Sequence, residues 1–194
     1  MTRENILQAA ALIFQEKGYH AASMQDIADA VDLKKGSLYH HVDSKQDILY
    51  ALLDEALGMI LERLEAVAAQ DLSAREKIRL AMRAYFSFLA ENPSLSSVLL
   101  LEYRSLEPER KKQHIPLRDQ VDRIWQDMIE EGIASQEFAV PEPGLVSKAL
   151  LGVLNWTITW YRKDGPLGAV EIADQFSNLF FAGLLSRPGS TPAQ

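Results

Sequence analysis

Between Lys34 and His41 the chain sets two ammonium groups, a hydroxyl, a phenol and two imidazoles side by side, KKGSLYHH. Such groups hold phosphate by charge and read base edges by hydrogen bonding, which is the chemistry of a nucleic-acid contact. A catalytic centre finds less material. Cysteine is absent, which excludes disulfides, thiolate nucleophiles and Cys-based zinc sites. His40 and His41 point apart on a helix and have no i+4 partner, so they make a poor metal site. An all-helical hydrolase or isomerase would have to use His114, Glu102 or Asp164, and no nucleophile–base pairing or metal spacing joins them. A third class, a DNA-organising or adaptor protein, would need the basic stretch but no small molecule.

Charge limits the nucleic-acid reading. The net charge is -7, from 20 basic and 27 acidic residues, which argues against a general polyanion binder, so any DNA contact must rest on a local patch. Residues 1–50 are not basic either, with Arg3, Lys17, Lys34, Lys35 and Lys45 against Glu4, Glu16, Asp26, Asp29, Asp32, Asp43 and Asp47. The charged N-terminal stretch is unlike a signal peptide, and polar residues at Asn155, Thr157 and Thr159 break the longest apolar candidate for a bilayer span. A cytoplasmic protein with no membrane contact, no metal and no cofactor is expected.

The elements that must position the basic stretch are all helical, because apolar residues recur at helical spacing from end to end. Thr2 caps a first helix whose Ile6, Leu7, Ala10, Ile13 and Phe14 share a face, and Gly18 supplies a left-handed stop. Ser23 with Asp26 caps a second helix bearing Ile27, Ala28 and Val31. A short third helix spans Lys35–His41. Ser44 with Asp47 starts a long fourth helix, and Ser73 with Glu76 forms the capping box of a fifth, which Asn92-Pro93 stops. Residues 95–106 read as a short buried helix. Pro108, Lys111 and Lys112 read as a polar connection, and 116–131 as a helix that Gly132 ends. Pro141 to Gly144 form a loop before two final helices, about 145–163 and 168–186.

Three short helices with a tight turn between the second and third make a helix-turn-helix, whose third helix enters the major groove. Leu38 locks that helix from within and leaves Lys34, Lys35, Ser37, Tyr39 and His40 outside. Gly36 lets the backbone approach phosphate or bases closely. Lys45 lies at a capped helix start, where the dipole also favours an anion.

IADAVDLKKGSLYHHVDSKQDILYALL, preceded by GYHAASMQD, resembles the DNA-binding signature of the tetracycline-repressor (TetR) family of bacterial regulators. The likeness covers residues 3–60 through Gly18, Ser23, Ile27-Ala28, Gly36 to Tyr39, His41 and Lys45. Asp32 stands where the family has a turn glycine, Lys34 where it has a hydroxyl cap, and Val42 where an aromatic is common. The resemblance implies a dimer with one reading head per chain and a C-terminal helical domain that dimerises and binds a small molecule. It also implies base reading by Lys35, Ser37 and His40, and phosphate holding by Ser23, Tyr39 and Lys45.

The division expected is a reading head at 1–46, a ligand-binding and dimerisation domain at 47–186 and a flexible tail at 187–194. A self-complementary face is sought on the last two helices, at Leu145, Ala149, Gly152, Val153, Ile172, Phe176, Leu179, Phe180 and Gly183. Apolar walls for an effector are offered by Met82, Tyr85, Phe86, Leu89, Leu99, Tyr103, Trp125, Met128, Trp156 and Trp160. Arg104, Asn155, Thr159 and Arg162 add polarity. LLGVLNWTITWYRKDGPLGAVEIADQF, with EYRSLEPERKKQ and EEGIASQEF, is similar to C-terminal domains of TetR regulators that sense acyl-CoA thioesters. The expected partners are operator DNA, a second copy of the chain and an acyl-CoA-like effector.

Overall fold

The computed structural model describes residues 2–140 and 142–184, so the expected tail at 187–194 lies outside the described residues. These residues fall into two compact units, one holding 2–59 and 91–118, the other 60–90 and 119–184. Packing therefore groups residues 91–118 with the N-terminal helices rather than with the bulk of the C-terminal half.

In the first unit α1 (Arg3–Lys17) opens on a reciprocal cap. The Thr2 hydroxyl accepts the Asn5 N–H at 3.3 Å, and the Asn5 side chain accepts the Thr2 N–H at 3.0 Å. Its expected face, Ile6 to Phe14, is buried. Gly18 ends it at φ 76°, ψ 153°, a positive-φ conformation that suits glycine but not the left-handed helical pair expected. α2 (Met24–Ala30) follows its Ser23–Asp26 capping box, and Asp32 takes φ 52° in the turn beyond it.

α3 is shorter than expected, Lys35–Leu38, with only turn-type bonds continuing to Val42. Lys34 brings no oxygen to cap it, and Gly36 costs about 1 kcal/mol of helix propensity. Leu38 is wholly buried, worth about 2 kcal/mol, and Val42 joins it inside. α4 (Lys45–Ala68) then begins as expected, with the Ser44 hydroxyl accepting the Asp47 N–H at 3.0 Å.

The stretch 95–106 is not one buried helix. It divides into α6 (Pro93–Ser97), a π-helical turn (Val98–Glu102) and a 3-10 turn (Tyr103–Ser105), with Leu101 60% exposed. The expected polar connection at Pro108 is instead the start of α7 (Pro108–Ala134), which runs through Pro116. Proline is well tolerated in a first helical turn, so Pro108 opens a helix.

The second unit contains α5 (Ala74–Glu91), α8 (Pro143–Trp156), α9 (Ala169–Leu184) and the remaining lengths of α4 and α7. Pro143 and Gly144 belong to the first turn of α8, not to a loop, and α8 gives way to a 3-10 turn (Thr157–Thr159). Gly132 does not stop α7. A Cβ there would fall 2.1 Å from the Phe138 ring, and Gln136 takes the positive φ of 63° instead. The Glu137 carboxylate accepts the Ala74 and Arg75 N–H groups at 3.2 Å each, capping α5 together with Ser73. Desolvation works against the Glu137 charge, but those N–H groups and the Ser135 hydroxyl hold its carboxyl below its ordinary range.

Candidate nucleic-acid interface

The third helix turns its polar side chains outward. Lys34, Lys35, Gly36 and His40 are exposed, Tyr39 is 45% exposed, and Ser37 is half-buried beside the anchored Leu38. Nothing lies within 4 Å of a Cβ built on Gly36, so that position is open to an incoming backbone. His41, part of the signature but absent from the expected contacts, is exposed as well.

Two expected phosphate ligands already have internal partners. The Ser23 hydroxyl donates to Asp26 at 2.6 Å while accepting the Asp26 N–H at 3.1 Å. Lys17 pairs with the same carboxylate at 2.6 Å, and these groups hold Asp26 ionised far below its ordinary range. Lys45 donates to the Tyr19 carbonyl at 2.8 Å and the Ala22 carbonyl at 2.6 Å, with its ammonium 4.4 Å from the Tyr19 ring centre. Two of its three N–H groups are thereby engaged.

The loop held by Lys45 is fastened from another side by residues 102–107. The Tyr19 N–H donates to Glu102 at 3.0 Å. Gln46 donates through its amide to the Tyr19 hydroxyl and to the Ser105 carbonyl, both at 2.8 Å, and accepts the Glu107 N–H at 3.1 Å. Arg110 pairs with Asp47 and lies over the Tyr50 ring. Glu102 and Gln46 carry no pattern that marks them locally, and only the packed structure brings them together.

The fourteen expected effector residues are divided between the two units. Leu99, Tyr103 and Arg104 belong to the first unit. In the second, Met82, Tyr85, Phe86, Leu89, Trp125 and Met128 are buried, and the Tyr85 hydroxyl donates to Asn155 at 2.6 Å. The Trp125 ring meets Tyr85 edge-on at 6.2 Å, and its buried indole N–H has no hydrogen-bond partner. Ser147, not singled out from the sequence, is buried with an equally unpartnered hydroxyl. Trp156, Thr159, Trp160 and Arg162 are on the surface, with Trp156 67% exposed and Arg162 paired to Asp164. Trp160 and Arg162 line a groove of about 450 Å³ with Ile172, Phe176 and Leu179.

Of the residues expected at a self-association face, Leu145, Ala149, Gly152, Leu179 and Gly183 are exposed and Val153, Phe176 and Phe180 half-buried. Ile172 is buried, at 8% exposure. Among the described residues no group of acidic and imidazole side chains is arranged to hold a metal, and no helix is long and apolar enough to cross a membrane.

Residues 6–52 match the family model for bacterial regulatory proteins of the tetR family, and residues 71–184 match that for the tetracyclin repressor-like C-terminal domain. The chain is 26% identical to the HTH-type transcriptional repressor KstR2 of Mycolicibacterium smegmatis, over 98% of this chain and 94% of that protein. It is 28% identical to the fatty acid metabolism regulator protein of Bacillus subtilis, over 92% and 93%. A solved structure of AibR in complex with isovaleryl coenzyme A and operator DNA shares the fold, with a TM-score of 0.85 and 23% identity over 92% of this chain and 97% of that one.

Proposed function

The chain belongs to the TetR family of bacterial transcriptional regulators, and from that premise we propose a repressor that binds its operator as a homodimer and is released by an acyl-CoA-like effector. It is a DNA-binding regulator rather than an enzyme. The observation that carries the reading is the outward face of α3. Lys35 on that helix, its cap residue Lys34, and Tyr39 and His40 just beyond it are presented to solvent while Leu38 and Val42 lie beneath.

Base reading falls to Lys35, Ser37 and His40, with Lys34 and the open backbone at Gly36 beside them. Phosphate holding falls to Tyr39, to Ser23 and to Lys45. For Ser23 to donate to a phosphate, its hydroxyl must exchange Asp26 for the new acceptor. Two half-sites one helical turn apart require two heads, and the exposed apolar residues of α8 and α9 suit a self-complementary contact.

The relatives named for fatty acid metabolism and the isovaleryl-CoA complex of AibR support a lipid thioester as effector. Trp125 and Ser147, buried in the second unit with unpartnered polar groups, are the proposed donors to a thioester carbonyl. Such a ligand acts only through its preference for the released conformation, and full reversal of the equilibrium needs about 5.5 kcal/mol of that preference. Within the first unit, residues 102–107 are bonded to Tyr19 and Gln46, so a displacement of that stretch acts directly on the start of α4. All of this takes place in the cytoplasm, where operator and thioester meet.

Selection of bound duplexes from a random pool tests the head first. Release of the selected operator by a series of fatty acyl-CoAs then tests the effector. Enrichment of no sequence removes the regulator reading, and release by none of the thioesters removes the effector class alone.

A further inference from the structure

The proposed reading head lacks the positive charge its task demands. Of its five basic residues, Lys17 is paired with Asp26 and Lys45 holds two carbonyls. The same compact unit, however, includes a later stretch in which the charge is inverted. Residues 103–118 contain five basic side chains, Arg104, Arg110, Lys111, Lys112 and Arg118, against the two acids Glu107 and Glu109. Arg110 is held by Asp47, which leaves four cations on one segment of a chain whose net charge is -7.

These four are displayed rather than buried. Arg104, Lys112 and Arg118 are exposed and Lys111 half-buried. Tyr103 props two of them, with the Arg118 guanidinium 4.1 Å and the Lys111 ammonium 5.6 Å from its ring centre. Lys111 also donates to the Arg104 carbonyl at 2.9 Å, which joins the 3-10 turn to the first turn of α7. Lys112 has an i,i+3 pair with Glu109, but both side chains are more than 70% exposed, so the pair is weak and readily exchanged.

The location ties the patch to the proposed reading head. Arg104 immediately precedes Ser105, whose carbonyl is held by Gln46 and whose hydroxyl lies 3.2 Å from His20. Gln46 follows Lys45, and Lys45 holds the carbonyl of Ala22, next to Ser23. The patch thus adjoins the edge at which Ser23 and Lys45 are assigned to phosphate. We propose that Arg104, Lys111, Lys112 and Arg118 form a second phosphate-binding surface, which extends the contact of the reading head along the operator backbone without reading bases. The inference rests on the DNA-binding reading. It explains how an acidic chain acquires affinity, since each phosphate neutralised releases condensed counterions whatever the sequence.

The test uses the full chain and its selected operator, with equilibrium binding followed by fluorescence anisotropy across a salt series. Arg104→Gln, Lys111→Gln and Lys112→Gln are measured singly and combined, with circular dichroism confirming the fold. The combined variant is expected to lose tenfold or more in affinity, equally for operator and random duplex. Its slope of log affinity against log salt should flatten by about one for each phosphate that is no longer neutralised. Lys35→Ala, by contrast, should narrow the ratio between operator and random duplex. Wild-type affinity and slope in the combined variant would overturn the inference and leave the regulator intact. So would unchanged DNA binding with loss of acyl-CoA release, which would assign the cations to the phosphates of the effector. A wild-type chain that binds no duplex at all would sink the regulator reading and this surface with it.

Discussion

His114 should make this protein acid-sensitive in a calculable way. The side chain is wholly buried on α7, both ring nitrogens are without a hydrogen-bond partner, and the ring lies 5.5 Å from that of Tyr103. Burial above all, with Arg118 assisting and Asp54 opposing, pushes its pKa from 6.5 down to about 4. The folded protein therefore holds His114 neutral in a range where the unfolded chain protonates it. Stability from this group is complete above pH 6.5 and falls as the pH drops toward 4, with a loss of about 2 kcal/mol by pH 5 and about 3 kcal/mol by pH 4. Replacement of His114 by Leu removes the titration. It also removes two buried polar atoms, each of which costs about 1–3 kcal/mol when left unpaired, so the variant should be at least as stable at pH 7. Urea unfolding at pH 7 and pH 5, at one fixed protein concentration, gives the comparison. Carboxylates common to both proteins cancel, and the wild type should lose about 2 kcal/mol more than His114→Leu. Equal acid losses in the two proteins would show that His114 is protonated inside the fold or is not buried.

Other substitutions probe separate parts. Gly132→Ala places a methyl against the Phe138 ring at 2.1 Å and should cost about 1–3 kcal/mol in urea unfolding, whereas propensity alone would favour alanine. Asp174→Asn breaks a two-bond pair with Arg83, at 2.6 and 2.7 Å, on a partly exposed surface and should cost less than about 1 kcal/mol. Arg83 holds the Asp174 carboxyl below its ordinary range, so that contribution is present above the usual carboxylate pKa and disappears as the pH falls through the folded value. Leu179, 70% exposed on α9, should yield monomers by sedimentation when changed to Glu, and a dimer that persists would move the self-association face elsewhere.

Local signals in the sequence were legible where a side chain acts on its own neighbourhood. The capping residues Thr2, Ser23 and Ser44 each accept the expected N–H three residues on, and the apolar faces of α1 and α2 are buried as spaced. Long-range partners left no such mark. Lys45 reads as a phosphate ligand at a helix start, and nothing nearby in sequence announces the carbonyls of Tyr19 and Ala22. Gly132 looked like a helix stop because the demand of Phe138 for its space is visible only after packing. The 95–106 stretch misled for the opposite reason: four contiguous apolar residues imply burial all round, yet the π-helical turn rotates Leu101 to solvent. The outward face of α3 was readable as a set of residue types, but its four-residue length was not.

Tyr19 is where the separated pieces of the first unit are sewn together, through its N–H, its carbonyl, its hydroxyl and its ring. Anyone splicing this DNA-recognition module onto a foreign sensor would sever those stitches by cutting near residue 46. A working chimaera must transplant a discontinuous graft, in which Glu102 to Glu107 travel with the N-terminal helices.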